Sequence, residues 1–140
     1  MLVLACDHAG FELKEYLKQY FTKNNIDFID IGALKYDKDD DYPDIVINGV
    51  KKVLENASNK GIFVCGSGIG MCMASNRFKG IRCVVAYKPI IAKLARKDED
   101  ANVLALGARL TSKRQALKII KTFLTSPFEG GRHLRRINKY

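Results

Sequence analysis

The chain has 140 residues, which is enough for one domain with a core of its own. No apolar run approaches the ~20 residues that span a bilayer, and no leader precedes the first strand, so we expect no membrane segment and a cytoplasmic location. The formal charge is +9, but most lysines fall singly on helix faces, which favours a solvated surface over nucleic-acid binding. The four cysteines form no C-x-x-C pair and are expected to be free thiols.

Short apolar runs alternate with helical patterns along the chain. In chain order, the predicted strands are Leu2–Cys6, Asp27–Ile31, Gly61–Cys65, Arg82–Ala86 and Val103–Leu106. The predicted helices cover 11–21, 43–54 and 71–78, then one begins at Pro89 and one follows a capping box at Ser112, before a tail from Pro127 to Tyr140. Strands that alternate with helices form a parallel sheet covered on both faces. The predicted fold class is therefore α/β: a doubly wound, three-layer α/β/α sandwich with a five-stranded parallel sheet.

Residues that can carry chemistry follow three of the predicted strands. Asp7 and His8 come after the first strand, Cys65 ends the third, and Arg109 follows the fifth. Ligands of doubly wound sheets bind outside the carboxyl ends of the strands. The convergence of these residues at one edge predicts an active site.

The segment after the third strand is a glycine-rich turn, with glycines at 66, 68 and 70. A strand that ends in such a turn and opens a helix leaves backbone N–H groups free to bind an anion or a developing oxyanion. Met71 occupies the position where a dinucleotide fingerprint needs glycine or alanine, and no P-loop Gly-Lys-Ser/Thr follows. Two simpler interpretations stay open: a tight crossover turn, and Cys65 packing as a small apolar side chain.

Three further features bear on binding. The acidic run 37–41 lacks the glycine and the glutamate of a calcium-binding loop, so we interpret it as a solvated loop. Tyr42 follows this run, and its ring can form one side of a sugar pocket. His8 and His133 are the only histidines, which gives poor support for a tetrahedral zinc site. Arg132 and Arg136 are four residues apart and would share a helix face, so they suit a phosphate dianion; the alternative is a solvated basic tail.

Five segments together resemble one enzyme family. They are Cys6-Asp7-His8-Ala9-Gly10-Phe11, Asp41-Tyr42-Pro43-Asp44, Cys65-Gly66-Ser67-Gly68-Ile69-Gly70-Met71, Ala101-Asn102-Val103-Leu104-Ala105-Leu106-Gly107-Ala108-Arg109 and Gly130-Gly131-Arg132-His133. In this order they resemble type B ribose-5-phosphate isomerase, whose relatives include galactose-6-phosphate and allose-6-phosphate isomerases. The resemblance implies a Rossmann-like sandwich, a sugar-phosphate substrate, and no metal or nucleotide cofactor. It also implies a single domain, 1–140, in a homodimer or dimer of dimers with interface active sites, the tail from about 127 to 140 packing on a partner subunit.

The resemblance also implies roles for individual residues. Cys65 matches the thiolate base that moves a proton between C1 and C2 of the sugar, and Ser67 matches a hydroxyl beside the reacting oxygens. Members without this cysteine use a glutamate at the position of Met71. The implied substrate-binding residues are Asp7, His8, Tyr42, Gly66, Gly68, Ile69, Gly70, Glu99, Arg109, Arg132 and Arg136.

One departure from the family pattern concerns ring opening. Asp98 stands where the family has a histidine that helps to open the furanose, and Glu99 stands where it has an asparagine. A carboxylate can exchange protons, but it is a poor acid at neutral pH unless its pKa is raised. The predicted function is interconversion of ribose 5-phosphate and ribulose 5-phosphate in the pentose phosphate pathway. The alternatives are isomerisation of an allose or galactose 6-phosphate, and a non-catalytic sugar-phosphate-binding subunit.

Overall fold

The sheet of the computed structural model, which describes residues 1–140, has five parallel strands in the order β2-β1-β3-β5-β4. The strands are β1 (Leu2–Cys6), β2 (Phe28–Gly32), β3 (Lys60–Cys65), β4 (Cys83–Val85) and β5 (Val103–Gly107). The helices are α1 (Phe11–Lys23), α2 (Tyr42–Leu54), α3 (Ile69–Ser75), α4 (Pro89–Glu99), α5 (Lys113–Thr125) and α6 (Arg132–Ile137), with a 3-10 turn at His8–Gly10. The predicted fold class is confirmed.

The two faces of the sheet are covered by different helices, because alternate residues of each strand point to opposite sides. On one face, Leu4, Ile62 and Leu104 pack with side chains of α1 and α5, such as Phe21 and Phe123. A second, smaller core lies on the other face, where Ala5, Phe63 and Ala105 pack with residues of α2 and α3, including Val50 and Met71. The central strands β1, β3 and β5 are buried almost throughout, as expected of a parallel sheet between two helical layers.

The bounds of most predicted elements differ from the structure by one or two residues, and for two elements the cause is clear. The helix expected over 71–78 spans Ile69–Ser75, because Gly68 is its N-cap and Asn76 turns back to bond the backbone of Cys83. The strand expected over Arg82–Ala86 is reduced to Cys83–Val85, since the Arg82 N–H donates to the Asn102 side chain rather than to a strand.

The tail from Pro127 ends in a short helix that packs on its own chain. In α6, His133 and Ile137 are buried against α4, whereas Arg132 and Arg136 are exposed, as a shared helix face requires. No helix of the structure is both long enough and apolar enough to cross a membrane.

Candidate active site

A cleft of about 330 Å³ opens at the carboxyl ends of β1, β3 and β5. The sheet order places β1 beside β3, and the chain leaves these two strands in opposite directions across the sheet, which is where doubly wound folds form a crevice. Most of the residues predicted for substrate binding line this cleft together. The lining residues are Asp7, His8, Ala9, Tyr42, Cys65, Gly66, Ser67, Gly70, Arg109 and Leu110.

Cys65 lies at the base of the cleft with its thiol inside the glycine turn. Its side chain is almost fully buried, and Sγ accepts a hydrogen bond from the Gly68 N–H at 3.1 Å. Gly68 has φ of +82°, and a Cβ there would lie 2.9 Å from the carbonyl carbon of Leu106 and from Val85. Only glycine therefore fits the turn that directs this N–H at the sulfur.

Two of the remaining N–H groups of the turn have no acceptor and are candidates for binding an anion. Those of Gly66 and Ser67 donate to no acceptor in the chain, and the Ile69 N–H donates to Ser67 Oγ at 3.2 Å. The Tyr87 hydroxyl donates a hydrogen bond to the Ser67 carbonyl at 3.0 Å, and this contact helps to hold the turn in place. Two N–H groups without an acceptor, a hydroxyl and a thiol thus belong to three consecutive residues that line the cleft, and groups of this kind can stabilise a developing oxyanion.

Two long side chains close over the turn. The Tyr42 ring packs directly on Gly70, where a Cβ would come within 2.7 Å of it. Arg109 lies over Gly66 in the same way, at 3.1 Å from the position of a Cβ, and its own N–H donates to the Gly66 carbonyl at 3.0 Å. The Arg109 guanidinium forms no ion pair in the chain and is free to bind an anion.

Asp7 and His8 form the opposite wall. Asp7 is buried and accepts from the Gly10 N–H at 3.0 Å; its burial raises the pKa of this carboxyl above the ordinary value. His8 Nδ1 lies 2.7 Å from Asp40 Oδ1, which also accepts from the His8 N–H at 2.9 Å. This hydrogen bond raises the pKa of His8 and favours the imidazolium.

Asp40 corrects the interpretation of residues 37–41 as a solvated loop. Asp37, Asp39 and Asp41 are exposed, but Asp40 turns inward and its side chain is only 14% exposed beside His8. Nothing in a run of four aspartates distinguishes the one that pairs with a histidine 32 residues away. Tyr87 was missed for a similar reason, since its contact with the glycine turn is tertiary.

The other predicted site residues are not in this cleft. Because α4 runs antiparallel to the strands, its last residues, Asp98 and Glu99, lie at the amino ends of β4 and β5. Arg82, the residue before β4, donates to the Glu99 carbonyl at 3.0 Å, which agrees with this placement. Asp98 and Glu99 line a separate cavity of about 560 Å³, and Glu99 accepts a hydrogen bond from the Tyr140 hydroxyl.

Four more predicted residues lie outside the lining of the cleft. Arg132 and Arg136 project from α6, which packs on α4, and form no ion pair. Gly68 does not line the cleft, but its N–H donates a hydrogen bond to Cys65 Sγ. Ile69 is half-exposed at the start of α3. One chain therefore brings together only the residues around Cys65, the thiol half of the predicted site. Its tail half, which comprises Asp98, Glu99, Arg132 and Arg136, lies elsewhere on the chain.

The thiols differ in environment. Burial raises the pKa of Cys6 to about 12, which makes it inert. Cys72 is half-buried on α3, and its hydrogen bond with Cys83 lowers its pKa to about 7. We therefore expect Cys72, which lies outside the cleft and which no sequence motif distinguishes, to be a second thiol open to alkylation.

Comparison with known proteins places this architecture in one family. A family model described as Ribose/Galactose Isomerase matches residues 2–140. The chain belongs to this family of isomerases. The match to the family model confirms the family resemblance and the enzyme class that the sequence predicts.

Individual members are similar over nearly their whole length. A probable ribose-5-phosphate isomerase B of Mycoplasma genitalium is 38% identical over 139 residues, which cover 99% of this chain and 91% of that protein. A ribose 5-phosphate isomerase from Thermotoga maritima, known from a crystal structure, has 43% sequence identity to this chain. The two structures superimpose with a TM-score of 0.94 over 99% of this chain and 94% of that one. The structure of the M. genitalium isomerase B with bound ribulose-5-phosphate is 38% identical with a TM-score of 0.94, covering 99% and 91% of the two chains.

Proposed function

We propose that this protein interconverts ribose 5-phosphate and ribulose 5-phosphate, with the Cys65 thiolate as base. The observation that carries the proposal is the position of Sγ in a sugar-sized cleft, beside two N–H groups without an acceptor. A family member of the same fold has been solved with ribulose-5-phosphate bound, which supports this substrate. We place the enzyme in the cytoplasm and in the pentose phosphate pathway.

The reaction moves one proton between two adjacent carbons and one proton between the two oxygens that they carry. Cys65 removes the proton alpha to the carbonyl, and the electron pair moves onto the carbonyl oxygen to give a cis-enediolate. The N–H groups of Gly66 and Ser67 stabilise the negative oxygen; one such donor is typically worth ~10²–10³ in rate. Ser67 Oγ, held by the Ile69 N–H, is placed to relay a proton between the neighbouring oxygens. The Cys65 thiol then returns its proton to the adjacent carbon.

The walls of the cleft are assigned to the rest of the sugar phosphate. Asp7 accepts from sugar hydroxyls, Tyr42 covers one face of the sugar, and His8 and Arg109 contribute positive charge. His8 suits a phosphate because the Asp40 contact favours its imidazolium. Binding energy gained at the phosphate orients C1 and C2 at the thiol.

We infer that a second subunit supplies the other half of the site. Asp98, Glu99, Arg132 and Arg136 lie at the far edge of their own chain, so they reach a thiol cleft only if they contribute to a partner's. Exposed apolar side chains on α3 and α4 support self-association; they are Ile69, Met73, Ile90, Ile91 and Leu94. We propose a homodimer, or a dimer of dimers, in which the tail from about 127 to 140 packs with its exposed side on the partner subunit while α6 keeps its contact with α4 of its own chain. Arg132 and Arg136 would then bind the phosphate.

Asp98 takes the position of the ring-opening residue in this arrangement. A carboxyl group serves if the partner's cleft keeps it protonated long enough to donate to the ring oxygen. Ribulose 5-phosphate forms no furanose ring, so its handling does not depend on this step. Asp98→His should accelerate turnover of ribose 5-phosphate wherever ring opening limits the rate.

A coupled assay with ribose 5-phosphate, allose 6-phosphate and galactose 6-phosphate tests the proposed function. We expect the highest kcat/KM for ribose 5-phosphate. A preference for either hexose would reassign the substrate, and absence of turnover with all three would favour a sugar-phosphate-binding subunit.

A further inference from the structure

Lys14 is a fully buried charged side chain that the proposed reaction does not use. It lies on α1, where its ammonium contacts the carboxylate of Asp30 and lies 2.9 Å from Glu15 Oε1. A buried ion pair of this kind adds little net stability, because desolvation of the charges offsets most of their attraction. The contacts that lead away from Lys14 indicate a different role.

The first link between Lys14 and the cleft is Asp30, which lies in β2. One oxygen of this carboxylate binds Lys14, and the other accepts from the Gly32 N–H at 3.1 Å. The strand ends here, and the next residue, Ala33, donates its N–H to the last carbonyl of β1. The ion pair thus holds the start of the loop 33–41 against the end of β1.

The second link is a row of three aromatic rings. Lys14 Nζ lies 5.4 Å from the centroid of the Phe11 ring. Tyr36, in the same loop, meets the Phe11 ring edge-on at a centroid distance of 6.1 Å and the His8 ring edge-on at 6.5 Å. Both links therefore join Lys14 to the loop that carries Asp40, the partner of His8.

We propose that Lys14 is a positioning residue for the substrate cleft, which holds the loop 33–41 so that Asp40 stays against His8. No second side chain holds Asp40, since Oδ1 bonds only His8 and the buried Oδ2 has no hydrogen-bond partner. The carboxylate is therefore placed by the loop itself. The inference rests on the proposed function, in which the His8 imidazolium binds the substrate phosphate.

The direction of one pKa change separates positioning from a direct effect of charge. His8 is titrated by NMR, without substrate, in the wild type and in Lys14→Met. A direct effect predicts that removal of a positive charge raises the pKa of His8. Positioning predicts the reverse: Asp40 moves away from the imidazolium, and the pKa falls toward its usual value of about 6.5, while Asp7, the other carboxylate near His8, stays in place. We expect the fall.

Lys18→Met is the matched control. Lys18 Nζ lies 2.8 Å from the Asp30 oxygen that Lys14 also binds, but its side chain is 29% exposed and lies over no aromatic ring. Each variant leaves the other lysine on Asp30, so neither leaves the carboxylate unpaired and we expect both proteins to fold. Lys18→Met should leave the His8 titration unchanged.

Kinetics give a second readout, which a general loss of stability does not produce. Lys14→Met should raise KM for ribose 5-phosphate about tenfold, the usual worth of a hydrogen bond to a charged group, and keep kcat near wild type. If Lys14→Met does not fold, Phe11→Leu breaks the aromatic link alone and should also lower the pKa of His8.

An unchanged or raised His8 pKa in the folded variant, or an equal fall in Lys18→Met, would overturn the role of Lys14. Absence of turnover in the wild type bears on the proposed function instead, and the titration without substrate then decides whether Lys14 positions Asp40.

Discussion

Among single residues, Cys65 and Cys72 are the two thiols whose surroundings favour chemistry. Cys65 lies in the cleft and Cys72 on the outer part of α3, with a pKa of about 7. Iodoacetamide should therefore alkylate both thiols, but ribose 5-phosphate should protect Cys65 alone. Mass spectrometry of the alkylated peptides measures each site separately. Equal protection of both thiols, or of neither, would argue against substrate binding over Cys65.

His8 and Asp40 form the one charged pair within the cleft walls. Because Asp40 raises the pKa of His8, the imidazolium persists to higher pH than the usual value of about 6.5. The pair stabilises the fold fully below that value, and its contribution is lost as the pH rises through the pKa of the folded state. Asp40→Asn should lower the His8 pKa and raise KM at neutral pH.

An NMR titration of His8 measures that shift directly, with Asp39→Asn as the matched control on the exposed part of the same loop. Asp39→Asn should leave the His8 titration unchanged. An unchanged pKa in Asp40→Asn would show that the contact does not hold the charge on His8.

Among the elements, the glycine turn between β3 and α3 places the most chemistry in the fewest residues. Gly68→Ala should cost at least about 1–2 kcal/mol, because a left-handed backbone disfavours a Cβ and this one would contact Leu106 and Val85. It should also reduce kcat, since the N–H that donates to Cys65 moves. Urea unfolding and steady-state kinetics measure the two effects.

Gly130→Ala is the matched control for the turn. Gly130 also has a positive φ, +65°, but no atom lies within 4 Å of its Cβ position. Gly130→Ala should lose the free energy of unfolding that a left-handed backbone costs a residue with a Cβ, but not the further loss that steric contact with neighbouring atoms causes. A Gly68→Ala protein no less stable than Gly130→Ala would contradict the described packing of the turn.

The elements also show what the sequence could predict. The apolar runs of β1, β3 and β5 are buried on both faces, so composition alone identified them and the edge of the sheet where they end. The start of α3 was misplaced because Gly68 and Gly70 resemble a loop, although they cap and begin the helix. The roles of Asp40 and Tyr87 depend on contacts between distant segments, which no local sequence pattern records.

For the molecule as a whole, the thiol half of the predicted site lies at the carboxyl ends of the strands, and the tail half lies near their amino ends. If subunits exchange these halves, Cys65→Ala and Arg136→Ala proteins should complement each other. Each mixed dimer then has one site with both an intact Cys65 and an intact Arg136. After dissociation and random reassembly of an equal mixture, we expect about a quarter of wild-type activity. A mixture no more active than its components would mean that Arg136 serves the cleft of its own chain or none.

The role of Cys65 as the base is the central claim, and its removal is the most direct test. Cys65→Ala should lower kcat for ribose 5-phosphate by about 10²–10⁴-fold, the usual contribution of a positioned base, while substrate binding and folding stay near wild type. Cys72→Ala, which removes the other reactive thiol, should keep nearly full activity. Turnover by Cys65→Ala above a tenth of the wild-type value would contradict the account.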